Sequence, residues 1–134
     1  MSLTEELLKA DTKKVEELAT GTFESKKLAY ALGKKGTVTI KIKEVPTRRI
    51  AEILDGTTKN GDYILPKLYE ASKKIVLHGV IDPNLKDDEL QAHFGCKLGI
   101  DLVEKLFGNE VIEISNAIQS LSGIADADED EVKN

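Results

Sequence analysis

Residues 38–43, V-T-I-K-I-K, constrain the fold more than any other stretch of this chain. Val38, Ile40 and Ile42 alternate with Thr39, Lys41 and Lys43, the period-two pattern of a strand with one buried and one wet face. A strand cannot stand alone, because its backbone donors and acceptors would go unpaired. The nearest partner pattern is Leu28, Tyr30 and Leu32, which also alternate and reach the first set through Gly33-Lys34-Lys35-Gly36. The expectation is one β-hairpin near residues 26–44. The loop itself is no phosphate cradle, since both flanks read as strand and the G-x-x-x-x-G-K-[ST] spacing is absent.

Elsewhere the apolar residues recur at helical spacing. Ser2 and Glu5 form a capping box ahead of Leu3, Leu7, Val15 and Leu18, a run that Gly21 stops and that can break near Asp11. Pro46 ends the strand, Thr47 can cap a short helix carrying Ile50, Ile53 and Leu54, and the polar D-G-T-T-K-N-G-D reads as a loop. A longer helix follows, with Pro66 in its first turn and Leu65, Leu68, Tyr69, Ser72, Ile75 and Val76 on one face up to Gly79; it is the candidate central core helix. Leu102, Val103, Leu106 and Phe107 mark another helix, and Asn109 can cap a last one with Val111, Ile114, Ile118 and Leu121. The fold class expected is therefore α+β, mostly α-helical, with about five to six helices in a single domain over residues 1–122. Residues 123–134 form an acidic tail with almost nothing to bury, expected to be disordered.

A chain of 134 residues can bury a core without staples, and with three Phe, three Tyr and no Trp that core must be aliphatic. One cysteine allows no internal disulfide, and no basic region followed by an apolar run precedes the domain, which points to the reducing cytoplasm. No apolar stretch approaches the roughly 20 residues needed to cross a bilayer. A net charge of -5 argues against nucleic acid as the main ligand. Asp126, Asp128 and Asp130 imitate the start of a calcium loop, but Glu131 stands where that loop needs glycine.

Residues 78–96, H-G-V-I-D-P-N-L-K-D-D-E-L-Q-A-H-F-G-C, hold both histidines and the cysteine. A zinc site would draw on His78, Asp82, His93 and Cys96, but Gly95 should stop the helix before Cys96, and no second Cys or His gives the paired spacing. A nucleophile site would pair Cys96 with His93 and Asp87 or Asp88, yet no glycine-rich oxyanion loop flanks it. A structural account uses more of the residues: Asp82-Pro83-Asn84 turns the chain, Asp87 and Asp88 cap a helix, Leu85, Leu90 and Phe94 anchor it, and Gly95 ends it. No catalytic, cofactor-binding or metal residue is assigned.

The segment P-N-L-K-D-D-E-L-Q-A-H-F-G, residues 83–95, followed by D-L-V-E-K-L-F-G-N-E-V, residues 101–111, resembles the XkdN-like tail assembly chaperones of long-tailed bacteriophages and prophages. The likeness is specific over 82–111 and extends in pattern over roughly 3–122; the short G-N-E-V link departs from the family's longer leucine-proline-glycine turn. It implies a non-enzymatic protein of the bacterial host cytoplasm that keeps the tape measure protein soluble until the tail tube polymerises around it. Such a protein is left out of the mature virion. The tape measure protein is the implied partner, with the tail tube protein and a second copy of this chain as further candidates, and neither nucleic acid nor membrane. Shielding an apolar helical chain calls for exposed apolar helix faces. Two stripes could serve, Leu3, Leu7 and Leu8 or Leu102, Leu106 and Phe107, although an apolar stripe of this kind is more commonly core than docking face. The rival is a structural tail or head-completion protein retained in the virion.

Overall fold

The computed structural model describes residues 2–122 and places Val38–Lys43 at the centre of a three-stranded antiparallel sheet. Its partner is not the expected one. The strand β1, Thr20–Ser25, pairs with β2, Val38–Lys43, in a register that sets Phe23 opposite Ile40 and Gly21 opposite Ile42. Residues Lys26–Ala31 between them form a helix, α3. Ser25 caps it, its Oγ accepting from the Leu28 amide at 3.1 Å. Gly33, at φ 69°, closes it: Lys34 N–H donates to the Ala29 carbonyl and Gly33 N–H to that of Tyr30, the paired bonds of a Schellman motif. The loop expected to turn a hairpin is therefore a helix stop, and the alternation of Leu28, Tyr30 and Leu32 is a coincidence on a short helix.

The chain before the sheet holds α1 (Leu3–Leu8) and α2 (Thr12–Glu16), separated where Asp11 accepts from the Lys13 amide and starts the second. After β2 come α4 (Thr47–Leu54), the two-residue strands β3 (Thr58–Lys59) and β4 (Asp62–Tyr63), and α5 (Leu65–Gly79). The remainder is β5 (Val80–Asp82), α6 (Asp88–His93), α7 (Gly99–Phe107), a 3-10 turn at Gly108–Glu110, and α8 (Val111–Leu121). There are thus eight α-helical segments among the described residues rather than five to six, because the first helix is split and α3 replaces a strand. The polar loop is a small hairpin turned by Asn60 and Gly61, both at positive φ. Asn109 sits inside the 3-10 turn, and α8 starts without a side-chain cap.

The sheet is one-sided. Ile40 and Ile42 are buried on the face that meets α8, while Thr22, Glu24, Thr39 and Lys41 face water. The expected central helix is central: α5 packs against α4, α7 and α8, and its Ile75 and Val76 are fully buried. Gly79 lets α5 and α8 close together, since a Cβ there would lie 2.5 Å from Ile118 Cδ1. The core is aliphatic around one phenylalanine, Phe107, with Ile40, Ile42, Leu102, Ile114 and Ile118. The acidic tail and its calcium-loop comparison lie at 123–134, outside the described residues.

Candidate docking surface

Every described residue from Ser2 to Thr20 is exposed, and neither α1 nor α2 buries a side chain. Leu3, Leu7 and Leu8 stand 71%, 59% and 82% exposed, and Val15 continues the apolar display at 72%. Local bonds hold these helices: Ser2 Oγ accepts from the Glu5 amide at 3.2 Å, as the capping box requires. The arm joins the body at its far end, where the Ala19 amide donates to Glu44 Oε1 at 2.7 Å. Its leucines are thus presented without being used by the fold.

The second stripe is placed otherwise. Leu102 and Phe107 are fully buried and Leu106 nearly so, all within the core formed with α5 and α8. The periodicity of α7 is spent on packing. That stripe offers a partner nothing unless the domain opens, so of the two candidate faces only the arm is available.

The histidine and cysteine region is built as a turn, cap, anchor and stop. Asp87 Oδ1 accepts from the Leu90 amide at 2.9 Å, Leu85 is buried, and Gly95 closes α6 with Cys96 N–H donating to the Gln91 carbonyl. His93 packs edge-on against Phe94 at 5.0 Å, and the Cys96 thiol points to the Phe94 carbonyl. His78 lies elsewhere, in a surface cleft with Lys43, Arg49 and Lys86. Burial, and then the charges of Arg49, Lys86 and Lys43, hold its pKa below the ordinary 6.5. Among the described residues no three His, Cys, Asp or Glu side chains are grouped to hold a metal.

Lys73 is the most enclosed charge among the described residues, its side chain 10% exposed and bonded at 3.0 Å to both Glu70 and Glu104, with Tyr69 beneath it. Burial opposes its charge, but the two carboxylates outweigh burial and raise its pKa. Glu104 lies on α7, so this network ties α5 to α7. Glu24 is held below its ordinary pKa by hydrogen bonds from Thr39 and Thr37 on the outer sheet face. Glu110 reaches back to Ser25 and to the Lys26 amide, bracing the start of α3. Each of these polar contacts joins parts of the fold.

No helix among the described residues is long and apolar enough to cross a membrane. Comparison with curated proteins and with solved structures finds no match. The family described as phage XkdN-like tail assembly chaperone protein matches residues 4–134, a span that includes the exposed arm from Thr4 onward, the sheet and the helical core. The chain belongs to the XkdN-like family of phage tail assembly chaperones.

Proposed function

We propose that this protein binds the tape measure protein of its phage and keeps it soluble until the tail tube polymerises, without catalysing a reaction. The observation that carries the reading is the N-terminal arm, with Leu3, Leu7, Leu8 and Val15 exposed on two short helices. Isolated helices below about 12–15 residues are marginal in water, so helices of this length gain most by laying their apolar side on another surface. A long chain with apolar helical stripes offers such a surface, and helix-on-helix docking needs no deep pocket. Membership of a tail assembly family supports the same role.

Co-expression with the tape measure protein of the same phage tests the proposal. The expected outcome is a soluble complex that co-purifies, and a tape measure protein that stays insoluble sinks it. A chaperone should also be missing from purified mature tails by mass spectrometry. Stoichiometric recovery there would favour a structural tail component instead.

A further inference from the structure

Three cationic side chains and a histidine from separate parts of the fold converge on one side of the molecule. Lys43 from the end of β2, Arg49 from α4, His78 from the last turn of α5 and Lys86 from the turn before α6 line two adjoining clefts that share Lys43, His78 and Lys86. Glu44 is the one carboxylate lining them, and its Oε1 is engaged by the Ala19 amide. Glu52 approaches Arg49 only to 3.9 Å, between exposed side chains, and no carboxylate among the described residues comes within 4.0 Å of Lys43 or Lys86. A basic concavity on a chain of net charge -5 is an attractive field with little inside the fold to neutralise it.

The path of α8 leads to this place. Ile118 lies against Gly79, next to His78, and Leu121 lies against Gly21, whose strand neighbour Thr20 pairs with Lys43. Ser122, the last described residue, therefore lies at the same end of the fold as the basic clefts. Four residues later begins the most acidic stretch of the sequence, with Asp126, Asp128, Glu129, Asp130 and Glu131. At about 3.3–3.6 Å per extended residue, Asp126 can lie up to about 14 Å from Ser122 and Glu131 up to about 30 Å. A tether that short gives the segment an effective concentration in the millimolar range.

We infer that the Lys43, Arg49, His78 and Lys86 surface is a docking site for an acidic peptide, and that its occupant is this chain's own segment 126–131, bound within the same molecule. Exposed ion pairs are individually weak, so the association rests on several charges acting together and is sensitive to salt. This inference is independent of what the N-terminal arm binds.

A nitroxide attached at Ala127→Cys, in a Cys96→Ala background of the full chain, tests it by amide broadening in the NMR spectrum. Broadening is expected to concentrate at residues 43–45, 78–80 and 86. It should fade at about 1 M salt, where the screening length is about 3 Å. It should also fade when Asp128→Asn, Glu129→Gln, Asp130→Asn and Glu131→Gln are combined. His78 should then titrate at a lower pH than in the unaltered chain, having lost its acidic neighbours. Broadening spread evenly over the surface, or unmoved by tail neutralisation, overturns the inference. So does broadening seen only when spin label and isotope are on separate molecules, which would place the segment on a second copy.

Discussion

Gly79 of α5 lies directly against Ile118 of α8, and it shows how one missing side chain sets a helix packing distance. Alanine is the better helix former by about 1 kcal/mol, so an exposed Gly79→Ala would stabilise. Here the new Cβ would fall 2.5 Å from Ile118 Cδ1 and 2.8 Å from Cγ2, and the second of these is rooted too near the backbone to swing away. Overpacking wins: Gly79→Ala should cost about 1–3 kcal/mol in urea unfolding. In an Ile118→Ala background the same change should cost markedly less, and a cycle without that coupling refutes the contact. One residue earlier, His78 gives the fold a pH dependence with a definite sign. Its folded pKa lies below the unfolded 6.5, so around and below that value the unfolded chain binds more protons and stability falls as pH falls. The contribution is fully present above 6.5 and is lost through the folded pKa. His78→Gln should flatten the change in unfolding free energy between about pH 7.5 and about pH 5.5 relative to the parent chain.

At the scale of elements, some of the fold was legible in the sequence and some was hidden for identifiable reasons. Helices α4 and α5 and the stop at Gly95 follow directly from Pro46, Pro66, periodic Ile and Val, and a glycine one step past the last apolar anchor. The partner of β2 was misread because Leu28, Tyr30 and Leu32 alternate by chance. The opposing cue was a Ser25 cap eight residues before Gly33 with Lys, Leu and Ala between them, a good helix frame that outranks a three-residue alternation. The real partner, T-G-T-F-E-S, hid because its inward positions include Gly21 and Ser25 and so show little hydrophobic contrast. Asn60-Gly61 is the hairpin signal of β3 and β4, and the polar residues around it mask the two short strands. What no local pattern could supply is the support of α3 from far along the chain. Glu110 Oε1 accepts from the buried Ser25 hydroxyl at 2.6 Å and Oε2 from the Lys26 amide at 3.0 Å. Glu110→Ala should therefore destabilise by about 1–3 kcal/mol and speed amide exchange in α3 before the rest of the sheet. Equal acceleration everywhere would show that the carboxylate does not act on that helix.

For the whole molecule, the sequence presents two leucine-rich stripes of equal promise, and only the assembled fold separates them. Periodicity reports that a helix has an apolar side; it does not report what lies opposite, and that depends on contacts distant in sequence. Leu102, Leu106 and Phe107 face α5 and α8, whereas Leu3, Leu7 and Leu8 face nothing among the described residues. The two stripes should consequently fail in different ways when altered. Phe107→Ala removes a fully buried ring and should cost about 3–5 kcal/mol, a large share of the roughly 5–15 kcal/mol that holds a domain together. Any loss of tape measure binding in that variant would track loss of folded protein. The combined Leu3→Ser, Leu7→Ser and Leu8→Ser variant touches no core contact and should unfold within about 0.5 kcal/mol of the parent. On the proposed function it should nevertheless leave a co-expressed tape measure protein insoluble, because the exposed leucines of α1 have become polar. A folded triple variant that still captures its partner in full would move the docking surface off the arm. A triple variant that unfolds would show instead that these leucines serve the fold and that their exposure is not an offer to a partner.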